Sequence, residues 1–265
     1  MKTRILTALV IIAIVLFPVL WGGIPLQCLA VFIVAAGAYE WLHCLPRYRR
    51  WGLWLTLAAI VWVLGLPWFM ASHVTAATLL VYMAPMIVAV WVLPIFVKSF
   101  SEEACFATLS FLVIFALAYT SMQIFISVDK RYLWTIILAT YGSDTGAYFF
   151  GRFMGKHKMI ERVSPKKTWE GFFGGWLVGF VLSLVVSLFF MKGMNIALII
   201  AVCVVAPVAA ELGDLCFSVF KRHYKKKDFS SLLPGHGGVL DRVDSLLMNI
   251  ILFGILYTCF TVPLF

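Results

Sequence analysis

Charge is what this sequence has least of. Only 12% of its 265 residues are Asp, Glu, Lys or Arg, against about a quarter in soluble domains, and the mean hydropathy is +1.01. An ordinary water-soluble domain is thereby excluded. Cys28, Cys44, Cys105, Cys203, Cys216 and Cys259 lack the paired spacing of metal sites and mostly fall inside apolar runs, so they read as small buried hydrophobes. No GxxxxGK[ST] run occurs, which excludes a Walker-type nucleotide loop. Internal repeats, coiled-coil heptads and low-complexity linkers are missing too. Lys2 and Arg4 precede the first apolar run as in a signal peptide, but the run ends in Pro18-Val19-Leu20-Trp21 without a small-residue cleavage motif. It reads as a retained helix.

What the chain does have is long apolar runs, near residues 5–21, 24–42, 52–71, 76–97, 104–126, 132–151, 169–191, 194–220 and 245–263. A spanning helix needs roughly 20 apolar residues, and open sheet edges are not tolerated in hydrocarbon. The expected fold is therefore an all-α, polytopic integral membrane bundle of about nine transmembrane helices. Its organisation reads as a lipid-embedded N-terminal part (1–131) and a C-terminal part (132–265) that carries the polar chemistry, in one membrane-embedded unit. Eighteen of the 21 Lys/Arg fall at the N-terminus and in alternate connections, while Lys130, Arg131 and Lys192 hold the other side. That bias places the N-terminus and the basic connections in the cytoplasm and the C-terminus outside. His43, His73, His157 and His223 read as interfacial polar residues.

The densest polar stretch is Ser218 to Asp244, SVFKRHYKKKDFSSLLPGHGGVLDRVD, with six Lys/Arg, three Asp and three Gly between two apolar runs. Lys225, Lys226 and Lys227 alone would be a solvated, positive-inside loop. The Pro234-Gly235-His236-Gly237-Gly238 run, followed at once by Asp241-Arg242-Val243-Asp244, asks for more. Basic groups hold phosphates, glycines admit close backbone approach, and carboxylates hold divalent cations. Position by position, Ser218, Lys221-Arg222, Lys227-Asp228, Pro234 to Gly238 and Asp241-Arg242-x-Asp244 match the signature of phosphatidate cytidylyltransferases (CDP-diacylglycerol synthases), and the chain resembles that family. The resemblance extends upstream through Asp144 to Gly171; the N-terminal half fits in length and character only.

Ionisable groups inside membrane helices are costly and mark functional sites by default. Asp144 lies mid-run in ATYGSDTGAYFFG, where a buried hydrogen bond to a neighbouring helix is the simpler alternative; Tyr148 and Gly151 continue a polar face towards the basic loop. Glu40, near the end of the second run, reads as a structural group that snorkels to the interface. On a helix, Glu211, Asp214, Ser218 and Lys221 fall within about 80° of one another, so one face carries two carboxylates, a hydroxyl and an ammonium. Asp241 and Asp244 could be first-turn caps of the last helix. Convergence of Asp214 and Asp241 on a hard cation, with Glu211, Asp144 and Asp244 completing or orienting its shell, accounts for more of the pattern. Ser164, Lys166, Lys167 and Thr168 precede the seventh helix, where Ser or Thr would cap it, Glu170 would sit in its first turn, and the lysines would hold an anion. The turn at Gly235, Gly237 and Gly238 is expected to offer backbone N–H groups to phosphate. His236 could contact phosphate, act as an acid or hydrogen-bond the turn.

The resemblance implies transfer of the cytidylyl group of CTP to phosphatidic acid, giving CDP-diacylglycerol and pyrophosphate for phospholipid biosynthesis. It implies dependence on Mg²⁺, with or without a second cation, and a cytoplasm-facing site in a bacterial-type inner membrane. Lys166, Lys167, Lys221, Arg222 and Arg242 would be the phosphate clamps. The partners are the two substrates and membrane lipid, with no nucleic acid; the resemblance alone suggests a homodimer. Two other classes fit less of the sequence. One is another lipid-phosphate enzyme, such as a CTP-dependent polyprenol kinase or a CDP-alcohol phosphotransferase, although the DGxxAR…GxxxDxxxD run of the latter is missing. The other is an ion-coupled transporter, against which stand the two phosphate-type loops and the lack of an inverted repeat.

Overall fold

In a computed structural model that describes residues 2–71, 76–191 and 193–261, the chain is almost entirely helical. In chain order come α1 (Lys2–Trp21), α2 (Gly23–His43), α3 (Tyr48–Met70), α4 (Ala76–Phe96), α5 (Glu102–Ser127), α6 (Arg131–Phe153), α7 (Trp169–Phe190), α8 (Ile196–His223) and α9 (Leu240–Thr261). Their bounds follow the apolar runs because each run must satisfy its own backbone hydrogen bonds. Seven are long and apolar enough to cross a bilayer: α2, α3, α4, α5, α7, α8 and α9. This is an all-α membrane protein. Among the described residues, two strands form an antiparallel hairpin between α6 and α7, β1 (Lys158–Ile160) and β2 (Ser164–Thr168). His73, Lys192 and Phe265 lie outside the described residues.

Two compact units share the chain: Met1–Gln123 with Asp228–Asp241, and Ile124–Lys227 with Arg242–Phe265. The loop Asp228–Asp241 thus packs with the N-terminal helices. In that first unit the core is aromatic, with Trp51, Phe100, Phe111 and Phe115 almost wholly buried. Polar contacts are few and specific: Trp41 Nε1 donates to the Ala107 carbonyl at 2.9 Å, tying α2 to α5.

The second unit is built on close backbone approach. Glycines recur every four residues on α7 at Gly171, Gly175 and Gly179, opposite Ala139, Gly142, Ser143, Gly146 and Ala147 of α6. A Cβ on Gly179 would lie 2.7 Å from the Ala139 carbonyl oxygen, and one on Gly175 2.8 Å from that of Ser143. Small residues spaced by four let membrane helices pack where apolar burial supplies no drive. Ser143 Oγ donates to the Pro207 carbonyl of α8 at 3.2 Å, and Asn249 Nδ2 of α9 donates to Thr140 Oγ1 at 2.7 Å. With 28 residues α8 is about 42 Å long, well beyond a hydrocarbon core of about 30 Å. Its basic last turn, Lys221, Arg222 and His223, therefore extends past the apolar layer.

Of the cysteines, Cys44, Cys105 and Cys203 are buried as expected, whereas Cys28, Cys216 and Cys259 are exposed. Their faces point out of the helix packing, so they are not core hydrophobes.

Candidate functional site

Within the second unit, a cavity of about 580 Å³ collects seven of the residues singled out from sequence: Asp144, Ser164, Lys166, Lys167, Thr168, Glu211 and Asp214. α6 contributes Asp144 and, one and two turns on, Tyr148 and Arg152. The β1–β2 hairpin supplies the hydroxyl and lysine groups, and α8 the remaining two acids. The α6–α7 glycine packing fixes this arrangement by drawing the hairpin against the end of α6. Thr168 caps α7 as expected, its Oγ1 accepting from Gly171 N at 3.1 Å. Glu170 sits in the first turn and accepts from the backbone N–H groups of Lys156 and His157, locking the hairpin base. His157 Nδ1 lies 2.6 Å from Glu170 Oε1, so this histidine serves the hairpin and is more than an interfacial group.

The centre of the cavity is an ion triad. Lys167 Nζ lies 2.6 Å from Glu211 Oε2 and 2.6 Å from Asp214 Oδ2, with Glu211 nearly buried and Asp214 about one-third exposed. Burial disfavours the Lys167 charge, but the two carboxylates more than offset it and hold the ammonium above its ordinary pKa. Lys167 therefore bridges the acids rather than reaching free into the cavity. Asp144 keeps an exposed surface that lines the cavity beside them. Further along the same face of α6, Arg152 donates to Tyr148 Oη at 2.7 Å, and both side chains line the cavity. Sequence reasoning named Tyr148 only as part of a polar face and counted Arg152 only among the charges of the basic connections. Their i, i+4 and i+8 spacing from Asp144 is the signal that placed them together.

Along α8 the expected polar face forms. Ser218 Oγ donates to Asp214 Oδ1 at 3.4 Å, and one turn further Lys221 Nζ lies 3.8 Å from Asp244 Oδ2, both residues being buried. Arg222 is exposed and donates to the Lys226 carbonyl at 2.8 Å, closing the helix end; Arg242 is exposed, and its carbonyl accepts from Tyr141 Oη.

The glycine loop belongs to the first unit, and its surroundings differ from the expectation. Gly235 and Gly237 take positive φ angles of 77° and 84°, which glycine adopts without strain. His236 N donates to the Leu233 carbonyl and Leu233 N to that of Gly237, making a tight turn. The following N–H groups hold carboxylates of the protein itself. Asp241 Oδ2 accepts from Phe229 N at 2.8 Å and Gly238 N at 2.9 Å, while Glu40 accepts from Val239 N at 2.9 Å, Leu240 N at 2.7 Å and Ser230 Oγ at 2.6 Å. Glu40 is fully buried, so the snorkelling expectation gives way to a structural clasp. The clasp makes up for its desolvation with three hydrogen bonds.

In kind, the donors fit a hard divalent cation: Asp144, Glu211 and Asp214 offer only carboxylate oxygens, and a cation already stands between two of them as the Lys167 ammonium. Among the described residues, no group of three or more His, Cys, Asp or Glu is disposed around a common metal position. Chemically, the cavity presents the cationic groups of Lys166 and Arg152 beside the carboxylates of Asp144, Glu211 and Asp214.

Known proteins share this sequence along nearly its full length. The cytidylyltransferase family model matches residues 2–260. The phosphatidate cytidylyltransferase of Staphylococcus epidermidis is 36% identical over 261 residues, 97% of this chain and 98% of the relative. Those of Staphylococcus haemolyticus and Staphylococcus aureus are 34% and 32% identical, again over 97% of this chain and 98% of each relative. With the family model matched over residues 2–260 and relatives up to 36% identical over 97% of its length, the chain belongs to the cytidylyltransferase family.

Proposed function

We propose that this protein transfers the cytidylyl group of CTP to phosphatidic acid. The observation that carries the reading is the cavity in which Lys166 and Arg152 stand beside Asp144, Glu211 and Asp214, in a chain whose relatives are named phosphatidate cytidylyltransferases. A phosphate oxygen of phosphatidate attacks the α-phosphorus of CTP, the bond from that phosphorus to the bridging oxygen breaks, and pyrophosphate leaves. Because the nucleophile is already an oxyanion, the protein needs little general-base power. Its task is to hold two polyanions in line and offset their repulsion.

Lys166 and Arg152 bind and orient the triphosphate, with Lys221, Arg222 and Arg242 as further cationic contacts on the same reading. Glu211 and Asp214 would hold Mg²⁺, with Asp144 and Asp244 supporting the shell, and Asp241 would be a further cation ligand on its own loop. When bound, Mg²⁺ supplies charge neutralisation at the phosphates. Ser218 orients Asp214, and Ser164 and Thr168 fix the hairpin that carries the lysines. Gly235, Gly237 and Gly238 shape the loop around Asp241, and His236 closes its turn.

The Lys/Arg distribution supports nine crossings, with α1 and α6 joining the seven apolar helices, a cytoplasmic N-terminus and a site facing the cytosolic pool of CTP in a bacterial cytoplasmic membrane. A homodimer belongs to the same proposal; nucleic acid does not. The test is to incubate purified protein in detergent with labelled CTP and phosphatidate. CDP-diacylglycerol and pyrophosphate are expected. Label appearing as a phosphorylated lipid would point to a kinase, and no product at all would refute catalysis.

A further inference from the structure

Among the described residues of the N-terminal helices, Glu40 is an acid that is wholly buried, and it is spent on a segment 190 to 200 positions away. We propose that Glu40 is a positioning residue for the transfer reaction, holding the Ser230–Asp241 loop in its working shape from α2. The inference rests on the function proposed above.

Three observations carry it. First, both carboxyl oxygens are used: Oε1 accepts from Ser230 Oγ and Val239 N, and Oε2 from Leu240 N. A negative group on these N–H donors also complements the N-terminal end of α9, where the helix dipole favours an anion. Second, Gly238 leaves the space that the carboxylate fills, since a Cβ there would lie 2.6 Å from Oε1 and 2.7 Å from Oε2. The glycine in this position is thus explained by the chain's own acid and needs no ligand phosphate. Third, the two carboxylates act on one segment. Asp241 holds Phe229 N and Gly238 N, Glu40 holds the next two N–H groups, and the Phe229 ring stacks on Trp41, the residue after Glu40, at 6.1 Å. Losing Glu40 would free the loop on which Asp241 depends for its orientation. An ordinary helix cap from within the loop could not transmit this constraint to α2.

The experiment compares wild type, Glu40→Ala, Gly238→Ala and the double variant, with Ser230→Ala as a milder probe that leaves the acid in place. Steady-state kinetics with CTP and phosphatidate run beside hydrogen–deuterium exchange of the segment 229–241. Glu40→Ala should lower kcat about 10- to 100-fold, the scale of a misplacement near 1 Å, with KM for CTP within about twofold of wild type. Exchange should quicken at residues 238–240 and not across α3 or α7. Gly238→Ala should act in the same direction by displacing the carboxylate, and the double variant should be no worse than Glu40→Ala, because the clash has gone. Ser230→Ala should quicken exchange less.

Normal turnover in Glu40→Ala with a loosened loop would overturn the proposal, as would unchanged exchange. Fully additive losses in the double variant would also overturn it, since they would deny that the two positions share one contact. If Glu40→Ala cannot be purified, Ser230→Ala and Gly238→Ala decide by the same two readouts. Wild-type protein that yields no CDP-diacylglycerol would sink the underlying function instead, and the exchange arm would still report on the clasp.

Discussion

Replacing Asp241 by Asn separates two roles that this residue could play. In the structure a single oxygen, Oδ2, accepts both N–H groups, from Phe229 at 2.8 Å and from Gly238 at 2.9 Å. An Asn side-chain oxygen in the same place can accept both, so the loop loses only the charge assistance, about 1 kcal/mol per bond. Alanine is different. It strands two N–H groups of buried residues, at about 1–3 kcal/mol each, a large share of the 5–15 kcal/mol that holds a typical domain together. Asp241→Asn should therefore melt within a few degrees of wild type and Asp241→Ala clearly lower, read by the intrinsic fluorescence of a chain with ten tryptophans.

Activity should not follow that order. If the Asp241 charge holds a cation for the triphosphate, Asn removes several kcal/mol of electrostatic stabilisation and turnover falls at least about 100-fold. Both variants would then be inactive although only one is unstable. Lys226→Ala is the control: only the backbone of this residue is used, accepting from Arg222 and donating to Lys221, so its loss should cost little. Turnover near wild type in Asp241→Asn would return the residue to a loop clasp and refute the charge argument.

Three further outcomes follow, two from the geometry and one from the charge distribution. Gly179→Val should loosen α6 from α7, since its Cβ alone meets the Ala139 carbonyl at 2.7 Å; overpacking of about 1–3 kcal/mol is expected and is checked by melting in detergent. Lys167 has its pKa raised, so the stability it contributes is complete below the ordinary lysine value near 10.4 and is lost only above the raised one. Wild type and Lys167→Met should accordingly keep a constant melting difference from about pH 6 to 9, and a gap that closes within that range would contradict the triad. Cysteines introduced beside Lys166 and Lys226 should be labelled from the cytoplasmic side and one at the C-terminus only from outside, as the Lys/Arg bias requires.

The helices were legible because a bilayer leaves the chain few choices: an apolar run must become a helix, and the observed bounds stay within a few residues of the runs. Asp144, Glu211 and Asp214 were legible for the same reason, as acids too costly to leave in lipid without a purpose. Glu40 was not. Its position near a helix end suited snorkelling, and its partners lie about 200 residues away, beyond any periodic or local signal. Lys167 was identified but not its partner, because an ammonium in a basic loop suits a phosphate as well as two acids. The glycines show the same degeneracy. The positive φ of Gly235 and Gly237 follows from the turn, whereas the need for Gly238 arises from a side chain on another helix. The α7 glycine period was open to reading, and its meaning required α6 beside it.

Charge balance in the cavity gives the remaining argument. Arg152, Lys166 and Lys167 face Asp144, Glu211 and Asp214, so the lining is formally neutral before any substrate binds. Lys167 is already committed to two of the acids, which leaves two cations for a triphosphate that brings several negative charges of its own. On the proposed function, a lining so composed leaves most of the substrates' negative charge uncompensated, and added cations held at the acids would offset it. On that reading, a cation at Glu211 and Asp214 would take the place that the Lys167 ammonium now holds between them. Chelation should therefore abolish turnover and Mg²⁺ restore it. In Lys167→Met, where no ammonium competes, Mn²⁺ titrated into the substrate-free protein should bind more tightly than in wild type, while Asp214→Asn should weaken that binding. Equal or weaker Mn²⁺ binding in Lys167→Met would mean that lysine and metal do not share a position, and would remove the carboxylate pair as the cation site.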